Sequence, residues 1–300
     1  MSRVLVTGAT GFVGRQVVEA LIARGHTPVC AIRRGTADRL PAGVNRVVES
    51  DDLFAEDSDW WRARLAGIDL CIHLAWVATP GRYLTDPRNL ACLQGTLSLG
   101  QGAIEARLPR LVGCGTCFEY DTAPGVLSVD TPLRPTSPYA AAKSAAYMAL
   151  DALLPPAGVS FLWARLFHVH GRGEDPRRLI AYLHDRLSRG EPAELGRGTQ
   201  IRDFIDVRDA AAMLVSDALG PAEGAINIAT GTGMTVRAMA EQIAAAYGRA
   251  DLLRFGVRAD NHTDPPCVVG LRPDTLAASG MTNDKTGELR WTFETRSATA

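Results

Sequence analysis

Residues 4–14 constrain this chain more than any other stretch. Val4-Leu-Val-Thr7 has the pattern of a short apolar strand, and it runs straight into Gly8-Ala9-Thr10-Gly11-Phe12-Val13-Gly14 and an amphipathic helical pattern over 12–24. A strand, a glycine turn and a helix in direct succession open a βαβ unit, and the free N–H groups of the helix start form an anion site. Gly8 suits the tight turn, Gly11 lets a pyrophosphate reach the backbone, and Gly14 lets helix and strand pack closely. Gly8, Thr10, Gly11, Phe12, Val13 and Gly14 are the candidate phosphate-binding residues.

The pattern repeats. Apolar, β-branched runs at 4–7, 28–32, 44–48, 70–74, 111–113 and 159–164 alternate with helical patterns at 12–24, 60–66, 88–106 and 137–154, the last opened by Ser137 as N-cap and Pro138 at the first helical position. Strands alternating with helices predict an α/β fold, a Rossmann-type doubly wound parallel sheet. After about residue 165 the texture changes to a helix opening at Asp175-Pro176 and running to about 189, short polar strands, and helices at 207–219 and 235–247. The expected division is a dinucleotide-binding domain over 1–165, with part of 205–228, and a smaller C-terminal substrate-binding lobe over 166–300 that closes on the sheet's carboxyl edge. The residues from Lys285 onward are polar and read as loosely held.

A carboxylate normally ends the second strand when the cofactor's adenosine ribose is unmodified. Here that strand ends in Arg33 and Arg34, the charge expected for a ribose 2′-phosphate, so NADPH is the expected cofactor. Asp51 or Asp52, after the third strand, is a candidate for the adenine side, and Leu74, Ala75 and Trp76, ending the fourth, for the nicotinamide ribose.

Tyr139-Ala-Ala-Ala-Lys143 puts a phenol and an ammonium on one face of a helix. A nearby ammonium lowers a phenol's pKa toward working pH, so the pair reads as an acid–base catalyst whose lysine also serves the nicotinamide ribose. Composition strengthens the point: of 32 Lys and Arg residues only Lys143 and Lys285 are lysines, and an arginine could not act as a compact point charge.

A net charge of −1 offers no field for nucleic acid or anionic membrane, and no apolar run reaches the roughly 18 residues of a membrane span. The six scattered cysteines read as reduced thiols, and without a signal-peptide pattern the expected location is the cytoplasm. Cys114-Gly-Thr-Cys117 lacks a second pair and His168-Val-His170 lacks a third ligand, so no metal site is expected.

Taken together these motifs resemble the extended short-chain dehydrogenase/reductase family, in its branch of nucleotide-sugar epimerases, dehydratases and reductases. The resemblance runs from residue 3 to about 280 and includes Leu74-Ala75, Gly115-Thr-Cys-Phe-Glu-Tyr120, Pro132 to Tyr139, Arg165-Leu-Phe-His-Val-His-Gly171 and Arg202-Asp-Phe-Ile-Asp-Val-Arg-Asp209. It implies that Thr116 completes a Thr116-Tyr139-Lys143 triad by bonding the substrate oxygen, that Cys117, Phe118 and His168 face the sugar, and that Arg202 contacts the diphosphate. Dehydrating members follow the triad threonine with Asp and Glu; Cys117 and Phe118 stand here. Cys92 replaces an Asn of the proton relay, and Asn261 an Arg of the diphosphate grip. The implied activity is NADPH-dependent 4-ketoreduction of a nucleoside-diphosphate 4-keto-6-deoxysugar in deoxysugar biosynthesis, by an expected homodimer; the sequence leaves open whether it pairs through 88–106 and 137–154. An NAD-dependent 4-epimerase and a non-catalytic nicotinamide-nucleotide sensor are the alternatives.

Overall fold

The structure, a computed structural model, describes residues 1–259 and 264–272; Asn261 and the segment from Lys285 lie outside the described residues. In chain order the strands are β1 (Arg3–Thr7), β2 (Thr27–Arg33), β3 (Val47–Ser50), β4 (Leu70–His73), β5 (Arg110–Thr116), β6 (Val126–Leu127), β7 (Ser160–Leu166), β8 (His168–His170), β9 (Ala193–Glu194), β10 (Ile201–Arg202), β11 (Phe204–Asp206), β12 (Gly224–Ile228), β13 (Met234–Thr235), β14 (Leu253–Arg254) and β15 (Cys267–Gly270). The α-helices are α1 (Phe12–Ala23), α2 (Ser58–Leu65), α3 (Arg88–Glu105), α4 (Pro138–Leu153), α5 (Leu179–Ser188), α6 (Val207–Leu219) and α7 (Val236–Ala246).

The large sheet has the order β12-β7-β5-β4-β1-β2-β3, and its pairings are parallel. From β1 the chain winds outward through β2 and β3, then returns to β4 and winds the other way. The carboxyl ends of β1 and β4 therefore flank the crevice where open α/β sheets bind ligands. Strand alternation explains the two buried faces. Val4, Val6, Cys30 and Ile32 pack under α1 and α6, whereas Leu5, Val29 and Ala31 belong to the opposite core with Trp61 of α2, Leu99 of α3 and Leu150 of α4.

The smaller lobe holds a second sheet, β13-β10-β15-β6, and a core in which Leu183 and Leu187 of α5 meet Ala240 and Ile243 of α7. β6 reaches this sheet from the segment between β5 and α4, while α6 and β12 return to the large sheet.

Local chemistry sets the helix starts. Asp57 accepts from the Trp60 N–H at 2.8 Å and starts α2 at Ser58, two residues before the periodic pattern begins. Ser137 caps α4 through the Ala140 N–H, with Pro138 first in the helix. The helix expected from Asp175-Pro176 begins only at Leu179, because the Asp175 carboxylate takes the Arg177 N–H in a local turn at 3.0 Å. β3 starts at Val47 rather than 44. Among the described residues no helix is long and apolar enough to cross a membrane.

Candidate active site

The cradle is built by close approach. Gly8 has φ +68°, and a Cβ there would lie 2.8 Å from the Ala75 nitrogen; one on Gly14 would lie 2.0 Å from the Gly8 oxygen. Thr7 Oγ1 accepts the N–H groups of Leu74 and Ala75, each at 3.1 Å, and thereby ties the end of β4 to the turn. Beneath it, His73 bridges Thr7 and Thr96 at 2.9 and 3.0 Å, and burial, assisted by the Lys143 charge, lowers its pKa to about 3. The imidazole is a neutral strut. Above it, α1 begins at Phe12 with no side-chain cap, so its first N–H groups are open to an anion. A pyrophosphate fits this donor set.

At the adenosine end the structure changes the electrostatic picture. Arg34 Nε lies 2.8 Å from Asp51 Oδ1 and its Nη1 3.8 Å from Glu49, so two charges expected to contact different parts of the cofactor instead meet each other. Asp52 is bound locally, accepting the Phe54 N–H at 3.0 Å. Arg33 is exposed at the end of β2, opposite Ser50.

The proposed triad residues gather at the carboxyl end of β5. Thr116 is its last residue and is buried; Lys143, from the second turn of α4, donates to the Cys114 carbonyl at 2.6 Å. Tyr139 is half-buried, with its ring edge-on to Tyr83 at 4.9 Å and to Trp76 at 6.4 Å. The expected tuning of the phenol is not what this arrangement produces. Burial pushes the Tyr139 phenol well above its ordinary value, with Cys114 and Tyr83 adding to the effect, and burial lowers the Lys143 ammonium. Lys143 Nζ itself sits 3.8 Å from the centroid of the Trp76 ring and donates to the Cys114 carbonyl.

Behind Thr116 lies a network that the sequence does not announce. Glu119 Oε1 accepts the Thr116 N–H at 2.7 Å; its Oε2 takes Arg165 Nε at 2.8 Å, and Trp163 Nε1 donates to both oxygens. Arg165 continues to Tyr120, and Tyr120 to Asn227, which donates to the carbonyls of Leu127 and Leu271 in the smaller lobe. Burial raises the Glu119 carboxyl against the pull of Arg165, and the three donors hold it in place. Cys117 does not line a cleft: it is buried in a small core with Tyr120, Leu127 and Phe167, its thiol pushed up to about 12.

Across the crevice, Phe118 and Phe204 pack edge-on to His168, which burial and then Arg202 lower to about 3, so it too is neutral. Arg202 on β10 is buried and paired with Asp264 at 2.7 Å. Asp264 also borders an open cleft of about 610 Å³ lined by Leu179, Tyr182, Gln200, Val236 and Arg258. Arg178, at the start of α5, stacks over Tyr83 at 5.5 Å and so reaches the Tyr139 side of the crevice from the smaller lobe. Tyr83 and Arg178 carry no periodic or motif signal and lie far apart in the chain.

Comparison with known proteins gives this geometry a family. Residues 4–229 match the NAD dependent epimerase/dehydratase family. The chain belongs to that family. As a member it is an enzyme of the NAD(P)-dependent oxidoreductase type, with nucleotide-sugar enzymes among its relatives. The chain is 30% identical over 306 residues to a UDP-glucose 4-epimerase of Mycolicibacterium smegmatis, covering 93% of this chain and 96% of that one. It is 30% identical over 256 residues to a dTDP-6-deoxy-L-talose 4-dehydrogenase (NAD(P)(+)) of Kitasatospora kifunensis, covering 80% and 77%. A crystal structure of the Thermus thermophilus UDP-glucose 4-epimerase in complex with NAD superposes with a TM-score of 0.78 at 27% identity and 93% coverage of both chains.

Glu119 is the acid nearest Thr116 in sequence, and it is committed to Arg165 rather than turned to the crevice. Among the described residues no group of three or more His, Cys, Asp or Glu side chains could hold a metal ion.

Proposed function

We propose that this enzyme reduces the keto group of a nucleoside-diphosphate 4-keto-6-deoxysugar, with NADPH as the reductant. The observation that carries the reading is the fate of Glu119: with that carboxylate buried on Arg165 and Cys117 in the core, Tyr139 is left as the proton-transferring group of the triad. Dehydration needs an additional acid and base; reduction of a carbonyl needs one proton donor. When bound at the glycine cradle, NADPH would supply the hydride. Tyr139 donates its proton to the carbonyl oxygen, Thr116 donates a hydrogen bond to the same oxygen, and Lys143 holds the ribose and favours the phenolate that remains. Arg202 and the cleft beside it would receive the diphosphate and base, the guanidinium fork matching phosphate geometry. Arg33 would meet the 2′-phosphate.

A 4-epimerase using tightly held NAD is the second reading. The Arg34–Asp51 pair supports it, because it neutralises one cation and brings a carboxylate near the adenosine end. Cytoplasmic residence belongs to the first reading, with all six cysteines free thiols. So does a homodimer: Leu90 of α3 and Met148 and Leu153 of α4 are 62%, 62% and 57% exposed, an apolar face that a second copy would cover.

The test is to incubate the purified protein with thymidine-, cytidine-, uridine- and guanosine-diphosphate ketosugars and follow NADPH absorbance. The reductase consumes one NADPH per ketosugar and is purified with little bound nucleotide. Stoichiometric bound NAD with sugar interconversion and no net oxidation would replace it with the epimerase.

A further inference from the structure

Lys143 is proposed to serve two partners, the Tyr139 phenol and a cofactor ribose, and in this structure its observed contacts are the Cys114 carbonyl and the Trp76 ring. Its ammonium is buried, donates to the Cys114 carbonyl at 2.6 Å, and lies 3.8 Å from the centroid of the Trp76 indole. The indole is itself held in place. Its Nε1 donates to Asn89 Oδ1 at 2.7 Å, and its ring meets Phe54 and Tyr139 edge-on, each at 6.4 Å. Asn89 is buried and its Nδ2 donates to the carbonyls of Tyr83 and Asp86, so the same amide that holds Trp76 also holds the loop whose Tyr83 ring leans on Tyr139.

We propose that Trp76 is a displaceable cover on Lys143: the nicotinamide ribose takes the indole's place on the ammonium, and only then does Lys143 act on Tyr139. The proposal rests on the nicotinamide reading of the site. Physically it is an exchange of partners. A buried ammonium with a single carbonyl acceptor has unused donors, which a π face satisfies partly and ribose hydroxyls satisfy better. Because Trp76 and Tyr83 share Asn89, moving the indole loosens the loop against Tyr139. Cofactor binding then prepares the sugar side of the crevice, and cofactor binds before sugar. Trp76 is thus a positioning residue that acts through Lys143.

The small number of lysines makes the cover measurable. Acetylation by an N-hydroxysuccinimide ester, read by peptide mass spectrometry, reports Lys143 against the exposed Met1 amine as internal standard. In cofactor-free protein, Trp76→Ala should raise the Lys143 rate on the order of tenfold, the scale of one desolvated cation–π contact. Equal rates in the wild type and Trp76→Ala would overturn the cover. The second arm uses Trp76→Phe, which keeps a ring against Phe54 and Tyr139 but loses the bond to Asn89. Titration with NADP+ should change the intrinsic tryptophan emission of the wild type, and Trp76→Phe should lose most of that change while calorimetry still records binding. A full emission change in Trp76→Phe would overturn the displacement. If calorimetry finds no binding of NADP+ or NAD+ to the wild type, the functional reading falls, and the labelling arm still decides whether Trp76 covers Lys143.

Discussion

The two ends of the large sheet's carboxyl edge carry the same kinds of charge in opposite surroundings. At β5 and β7, Glu119 and Arg165 pair at 2.8 Å with side chains 0% and 1% exposed. At β2 and β3, Arg34 and Asp51 pair at the same distance with side chains 62% and 82% exposed. Coulomb's law treats the two pairs alike; water does not. Around the first pair the dielectric is low, each charge needs a partner, and the pair is part of the architecture that holds Thr116. The second pair is screened and can open at little cost.

The largest expected effect lies at the buried end. Tyr139→Phe keeps the ring's packing and removes the proposed proton donor, so kcat for the proposed ketosugar reduction should fall about 10²- to 10⁴-fold with little change in cofactor affinity. Retention of more than half the activity in steady-state assays would mean another group donates the proton.

Next is the pair itself. Glu119→Gln leaves Arg165 charged and unbalanced in the core and should cost about 3–5 kcal/mol in urea unfolding, whereas Glu119→Gln with Arg165→Met should recover part of that loss. Asp51→Asn at the exposed end should leave the unfolding midpoint unchanged. If both single variants melted alike, burial would not be what separates the two pairs.

Acid should also act from the interior. His73 is neutral in the folded protein, with a pKa lowered to about 3 from 6.5, so below pH 6.5 the unfolded chain binds a proton that the folded one refuses. Stability should therefore fall as pH drops from 6.5 toward 3, by at most about 1.4 kcal/mol per pH unit from this group. His73→Gln, which can still bridge by hydrogen bonds, should flatten that limb in melts taken across the range.

The smallest effects belong to the exposed arginines, and they refine an expectation that treated the two alike. Arg33→Ala should reduce the preference for NADPH over NADH by roughly tenfold. Arg34→Ala, whose charge is already shared with Asp51, should change it by less than about threefold. Equal losses, measured as ratios of Kd, would show that Asp51 releases Arg34 when the cofactor binds.

These contrasts mark what could be read from the chain alone. Gly8, Gly11 and Gly14 directly after an apolar strand, the strand–helix alternation, and Tyr139 and Lys143 four residues apart were legible because each depends on neighbours within a few positions. Turn geometry, pleat alternation and the helical repeat are local consequences of the backbone. The same holds for Ser137 and Pro138 at the start of α4.

Tertiary structure alone decided which charges meet. Glu119 finds Arg165 across 46 residues, Arg34 finds Asp51 across 17, and Lys143 finds the Trp76 ring across 67. No spacing rule predicts such partners, because they are set by the parallel register of β5 with β7 and of β2 with β3 and by the packing of α4 on β5. Burial then sets the energy of each contact. Motif and spacing place a phenol and an ammonium on one face of a helix; only the folded interior determines that burial raises the phenol and that the ammonium sits against the Trp76 indole.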